Sequence, residues 1–140
     1  MQKKAWPATG AVTDWDDSTP AGNTWEKAND PSPAGWRVPT RDEIKKLLDA
    51  DKVSHEWTTQ NGVTGRKFTD KTTGSSLFLP ATGYRHHYDG TLYAAGEDGF
   101  CWSSTQSGSH YAYALTFISG DADWTNNVRY YGFSVRSVAE

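Results

Sequence analysis

The chain has 140 residues, the length of one domain, and a formal net charge of -3 at pH 7. Acidic and basic residues are mixed along it, so it lacks the basic field that attracts nucleic acid, and it has no apolar run near the roughly eighteen residues that span a membrane. Its single cysteine, Cys101, excludes an internal disulfide and a multi-cysteine metal site, and no secretion signal follows Met1.

The first segment, residues 1–24, is rich in turn-forming residues and is predicted to be a loop-rich N-terminal arm of a single domain that covers residues 1–140. Trp6, Trp15 and, just beyond the arm, Trp25 are too many large apolar side chains for a segment that stays in water. We therefore expect the arm to pack on the body of the domain through its indole rings.

One clear helix is predicted from about Arg41 to Ala50. Thr40 and Glu43 form a capping box, in which each side chain satisfies a free backbone donor of the other residue. Ile44 and the leucines that follow it then fall on one face, as an amphipathic helix requires.

Turn signals dominate the next segment, residues 53–74. Asn61-Gly62 is typical of a hairpin turn, and the runs 66–70 and 75–80 are predicted to be two paired strands. A further hairpin tip is predicted at residues 86–93, where Asp89-Gly90 suits positive φ. Because successive strand residues point to opposite faces, His86 and His87 would not chelate one ion, and we predict no metal site and no cofactor.

Two aromatic runs, residues 99–105 and 132–138, have large apolar side chains at every second position and are predicted to be central strands of one sheet. Residues 111–118 are predicted to be another strand, with Tyr111, Tyr113, Leu115 and Phe117 on one face. The composition of the whole intervening segment, residues 106–131, favours a surface over a core, because it mixes rigid aromatic side chains with small polar ones.

Four blocks resemble, in order and spacing, the Fibrobacter succinogenes major paralogous domain, a family common in Bacteroidetes and their phages. The blocks lie at residues 33–40, 79–85, 102–105 and 132–136 and read PAGWRVPT, LPATGYR, WSST and GFSVR. The resemblance implies an α+β, C-type lectin-like fold, with a twisted antiparallel sheet, one clear helix and long loops. Family members often have cysteines where this chain has Ser32 and Ser137, and a leading strand that is not found before Lys3.

The same region is similar to variable proteins diversified by retroelements, which display altered residues on a C-type lectin-like scaffold. Mutation of adenines in AAY codons yields residues such as His, Tyr, Asp, Phe and Cys, which are abundant here. Cys101 and Ile118 belong to that set, whereas Trp124, Glu97 and Gln106 do not. On this interpretation the Cys101 thiol is inert.

The leading hypothesis is a non-enzymatic module that binds an unknown protein or glycan, with its ligand face at the loop tips of the second half. A cell surface or a phage particle is the favoured location. No catalytic residues are predicted. The candidate ligand-binding residues are His86, His87, Tyr88, Tyr93, Asp98, Phe100, His110, Tyr111, Tyr113, Thr116, Asp121, Asp123, Trp124, Tyr130 and Tyr131.

Three other functions stay open. Formylglycine-generating enzymes share a related fold, but their chemistry needs a cysteine pair and Cys101 stands alone. A calcium-dependent lectin would need oxygen ligands, which Asp121, Asp123, Asn126 and Asn127 offer, but the sugar-site signatures of such lectins are missing. The chain would otherwise be a structural module of a surface protein or phage fibre.

Overall fold

The computed structural model describes residues 10–18 and 25–140. The predicted packing of Trp6 lies outside these residues. In the described part no helix is long and apolar enough to cross a membrane. Across residues 10–18 and 25–140 the one α-helix is α1 (Arg41–Lys45), and the strands are β1 (Trp36–Arg37), β2 (Val53–Gln60), β3 (Val63–Asp70), β4 (Ser76–Pro80), β5 (Tyr84–Arg85), β6 (Leu92–Tyr93), β7 (Gly99–Ser107), β8 (Tyr111–Phe117), β9 (Ala122–Val128) and β10 (Val138–Ala139).

The strands of the described residues form four antiparallel sheets, which confirms the α+β class. Their orders are β2-β3-β4, β7-β8-β9, β5-β6 and β1-β10. The predicted second central strand is wrong: residues 132–137 make only isolated bridges, from Gly132 to Arg85 and from Ser134 to Cys101. This segment changes partners within three residues, so it crosses from one sheet to another without a regular ladder in either.

The helix begins as predicted and ends early. Thr40 Oγ1 accepts a hydrogen bond from the Glu43 backbone N–H at 3.3 Å, which confirms the cap. After Lys45 a 3-10 turn covers Lys46–Leu48, and the Asp49 carboxylate then accepts from the Asp51 backbone N–H. That side-chain bond forms a turn, so Ala50 lies outside the helix.

The sequence does not predict two of the longer strands, β2 and β9, nor the two-residue strands β1 and β6. The reason is clearest for β2 and β9. Both are edge strands with mostly exposed or half-exposed side chains, so neither has the apolar alternation that indicates a strand. The surface interpretation of residues 106–131 is also wrong for part of the segment, because Ala112, Ala114, Leu115 and Phe117 are buried.

The β7-β8-β9 sheet is covered on both faces. On one face, Cys101, Leu115 and Phe117 join Ile44 of α1 and Phe68 in a core cluster. On the other face, Trp102, Ala112 and Ala114 pack against Tyr131, Phe133 and Val135. Every side chain of β8 therefore faces either the helix layer or the C-terminal segment. The same division decides on which face of the sheet each candidate binding residue of β7, β8 and β9 lies.

Candidate ligand-binding surface

Five candidate residues gather in one aromatic group, the histidine–tyrosine cluster: His86, His87, Tyr93, Tyr130 and Tyr131. Ring centroids are 4.4 Å apart for the two histidines and 4.8 Å apart for His87 and Tyr131. Tyr130 lies 5.4 Å from His87, and Tyr93 lies 5.8 Å from His86. The fold thus joins the β5-β6 hairpin to a pair of tyrosines about forty residues further along the chain.

The hairpin that presents these histidines is fixed by local hydrogen bonds. The His86 backbone N–H donates to Thr91 O at 2.9 Å, and Gly90 N–H donates back to His86 O at 2.9 Å. Gly90 has φ +72°, the left-handed conformation expected at this tip. Tyr88 N–H donates to His86 Nδ1 at 3.3 Å, so the Nε2 atom of His86 bears the proton when the ring is neutral.

Trp15 of the N-terminal arm packs against this hairpin, as predicted for the arm's indoles. Its Nε1–H donates to the His87 carbonyl at 3.1 Å. The ring lies so close to Gly90 and Gly132 that a Cβ at either glycine would come within 2.8 Å of it. A side chain at either position would displace the indole, so both glycines are needed for this contact.

The second segment is attached to the hairpin by paired backbone bonds. Arg85 N–H donates to Gly132 O, and Gly132 N–H donates to Arg85 O, both at 2.9 Å. Below the cluster, rings continue into the core: Phe133 is 5.4 Å from Tyr131 and 4.4 Å from Trp102. The exposed rings are therefore supported by a packed aromatic stack and have little freedom to move.

The outer members of this surface are accessible. Tyr88, at the hairpin tip, is 72% exposed and Tyr93 is 47% exposed, while the other cluster members are half-buried. Burial lowers the pKa of His87, and the nearby charge of His86 lowers it further, although Asp17 acts in the opposite direction. His87 is therefore neutral at pH 7 and offers one donor and one acceptor.

Three other candidates lie on the opposite face of the β7-β8-β9 sheet, beside α1. Tyr113 and Trp124 have ring centroids 5.2 Å apart, and Tyr111 is exposed on the same face. The Arg41 guanidinium lies 4.7 Å above the Tyr113 ring, and the Lys45 ammonium lies 4.8 Å from the Trp124 ring. We call this group the cation–aromatic cluster; its two cations already have aromatic partners.

Of the remaining candidates, Phe100 belongs to the aromatic stack beneath the histidine–tyrosine cluster, 4.5 Å from Phe133, and the others are dispersed. Phe100, Thr116 and Asp123 occupy one cross-strand row on the face that the C-terminal segment covers. Asp98 accepts Gly83 N–H through its backbone carbonyl, His110 is at the β7-β8 turn, and Asp121 is exposed at the β8-β9 turn. The fifteen candidates thus do not form one continuous surface, and ligand binding by them stays a prediction.

Arg66 is a buried charge that the sequence did not indicate: within the described part of the chain its side chain is only 4% exposed. Its guanidinium donates to the carbonyls of Ile118 and Ser119 at 2.6 and 3.1 Å, and its Nη1 lies 2.7 Å from His55 Nδ1. The arginine therefore holds the β8-β9 turn against β3. Its position in a polar, turn-rich stretch gave no sign of burial.

Cys101 faces the core, and burial raises the pKa of its thiol to about 12. The thiolate that a nucleophile or metal ligand requires is therefore not formed near neutral pH. Within residues 10–18 and 25–140 no group of three His, Cys, Asp or Glu side chains is arranged to hold a metal ion.

Comparison with known families gives one match. The model of the family described as the Fibrobacter succinogenes major domain matches residues 21–139. The matched range includes both aromatic clusters and excludes Trp15. No curated protein and no solved structure matches the chain.

Proposed function

The chain belongs to the Fibrobacter succinogenes major domain family, and from this premise we propose that it is a non-enzymatic ligand-binding module on a C-type lectin-like scaffold. Its ligand is a protein or a glycan on another cell or particle. The module acts from a cell surface or a phage particle, and its contact surface is the histidine–tyrosine cluster with Tyr88.

The observation that supports this function is the exposure of aromatic rings on a rigid base. Tyr93 is accessible and its ring stacks on Tyr84, with centroids 5.9 Å apart, and Tyr84 also packs edge-on against Tyr131, which stacks on Phe133. Tyr88 is accessible at the hairpin tip beside them. A ring that is already held in place loses little conformational entropy when a ligand covers it. Exposed tyrosines on such a base are the kind of anchor that dominates binding surfaces.

The cluster has polar atoms suited to orienting a ligand. The neutral His87 ring and the His86 ring, whose Nδ1 accepts from Tyr88 N–H, can hydrogen-bond to hydroxyl or amide groups. An apolar ligand face would lie on the Tyr88 or Tyr93 ring. This division between rigid aromatic contact and polar orientation serves a sugar ring and a peptide equally well.

The absence of catalysis is part of the proposal. The formylglycine-generating alternative needs two cysteines, and the one cysteine of this chain is buried with a raised pKa. In the described residues His55 contacts Arg66, and His110 contacts Ser109, so neither has the carboxylate partner of a hydrolytic triad.

Diversification by a retroelement is part of the same proposal, but only for the accessible residues of the contact surface. Tyr88, Tyr93, Tyr130 and Tyr131 are accessible or half-buried, so a change there alters what a ligand meets. Cys101 lies in the core, where variation would alter packing instead. A search of the locus for a near-identical repeat that differs only at adenines tests this point.

Binding is tested on a glycan array and on intact bacterial cells, with the Tyr88→Ala/Tyr93→Ala variant beside the wild type. We expect binding to fall at least tenfold, because each anchor residue costs more than about 1.4 kcal/mol when truncated. Tyr111→Ala is the matched control, since Tyr111 is 45% exposed on the opposite face of the sheet. Equal loss in the control, or none in the double variant, would refute the assignment.

A further inference from the structure

A cavity of about 140 Å³ lies between α1, β4 and the C-terminal segment. Side chains of Ile44, Leu47, Leu77, Leu79 and Val138 line it, so its walls are almost entirely apolar. It opens on the α1 side of the β7-β8-β9 sheet, away from the histidine–tyrosine cluster. Any ligand of this cavity would therefore be independent of the proposed function.

The size and chemistry of the cavity define what fits. An apolar cavity of about 150 Å³ stays dry and accepts benzene. The present cavity is nearly as large, so a six-carbon ring or a chain of similar volume would fill it. Polar tails are excluded, because the walls offer them no hydrogen-bond partner.

Charged side chains occur among the lining residues only as Glu43 and Arg136. The Glu43 carboxylate is already engaged: it accepts from Arg37 Nη1 at 2.8 Å and from Thr40 Oγ1 at 3.1 Å. Arg136 is exposed and has no hydrogen bond or ion pair to any described residue. The Arg136 guanidinium at the opening of this apolar cavity is therefore available to pair with an anion.

The positive charge of Arg136 also acts on Cys101, a residue of the cavity wall. Cys101 lines the cavity, and Arg136 lowers the pKa of its thiol, against the larger opposing effect of burial. A carboxylate placed at the opening would meet the guanidinium directly, and Arg pairs with carboxylates through two parallel hydrogen bonds.

We propose that this cavity binds a small monocarboxylate, with an apolar tail of about six carbons inside and the carboxylate on Arg136. Arylcarboxylates and short fatty acids share this chemistry. Amines of the same shape are rejected because they would face Arg136, and longer chains are rejected because the chamber ends at the core.

The test compares three probes of one shape: benzoate, benzyl alcohol and benzylamine. Each is titrated into the intact chain while backbone amide signals are followed by NMR. We expect benzoate to shift the signals of Leu79, Cys101 and Leu115, with an affinity about tenfold higher than that of benzyl alcohol, since a hydrogen bond to a charged group is worth about 1.5 kcal/mol or more. Benzylamine should cause no shift at these residues.

Arg136→Gln should reduce benzoate binding to the level of benzyl alcohol and leave benzyl alcohol unchanged. Lys52→Gln, which removes the same charge from an exposed position outside the cavity lining, should affect neither probe. The proposal is overturned if benzoate binds no better than benzyl alcohol in the wild type, or if the shifts occur only at the histidine–tyrosine cluster. Neither result would bear on the glycan and cell binding described above.

Discussion

Ser32 and Ser137 offer the sharpest test of how the two ends of the described fold are joined. Their Oγ atoms are 2.7 Å apart, although 105 positions separate them in sequence. The neighbouring strands β1 and β10 pair in the same place, with Arg37 opposite Val138. Side chains in direct contact are close enough to be bridged without a backbone shift, so we expect Ser32→Cys/Ser137→Cys to form a disulfide.

The size of the effect follows from the loop that the bond would close. A cross-link across about 100 residues removes unfolded-chain entropy worth about 4.7 kcal/mol in the chain-entropy model. Loss of the serine–serine hydrogen bond costs about 1 kcal/mol. We therefore expect the oxidised double variant to be more stable than the wild type by roughly 3 to 4 kcal/mol.

The assay is urea unfolding of the double variant with and without reductant. With an m value of about 1 to 3 kcal/mol/M, the oxidised midpoint should rise by about 1 to 4 M, and reduction should abolish the gain. In the folded chain Cys101 is buried with a pKa raised to about 12, so it does not compete while the disulfide is being formed. Each single cysteine variant is a control that should gain nothing.

Two outcomes would refute this reasoning. If the two thiols stay reduced under oxidised glutathione, or pair only between molecules, the 2.7 Å contact does not exist in solution. If the intramolecular bond forms but the midpoint does not move, the pairing is correct and the entropic estimate is wrong. Thiol titration and mass spectrometry distinguish the two cases.

The other predictions concern burial. His87 has its pKa lowered mainly by burial, so the unfolded chain binds that proton more tightly, and stability should fall as pH drops through 6.5; melting temperature against pH should show this slope, and His87→Gln should flatten it. Arg66→Met leaves the carbonyl of Ile118 without its donor and should cost about 3 kcal/mol in urea unfolding, whereas an unchanged midpoint would place the guanidinium in water. On one strand, Leu115→Ala should cost about 2 to 5 kcal/mol, but exposed Tyr111→Ala under about 1 kcal/mol; similar costs would contradict the burial of β8.

Local chemistry allowed parts of the fold to be predicted. Asn61 and Gly62 have φ of 52° and 79°, so the residues that indicated a hairpin turn adopt the conformation that only such residues tolerate well. Thr40 caps α1 for an equally local reason. The strand β9 could not be predicted, because its pairing with β8 depends on a partner rather than on its own polar side chains.

The candidate site, too, could be predicted from the sequence only in part, because its position depends on which elements pack together. The two-residue period correctly placed Tyr111, Tyr113, Leu115 and Phe117 on one face of β8. Leu115 and Phe117 join the core cluster with Ile44 of α1, and the Arg41 guanidinium of the same helix lies over Tyr113. Period alone does not say what covers that face. The helix α1 covers part of this face of the β7-β8-β9 sheet, and residues 131–135 cover the opposite face. Tyr111 and Tyr131 therefore lie on opposite sides of the sheet. One ligand patch therefore cannot include both, and substitutions in the two clusters should have additive effects on stability and separable effects on binding.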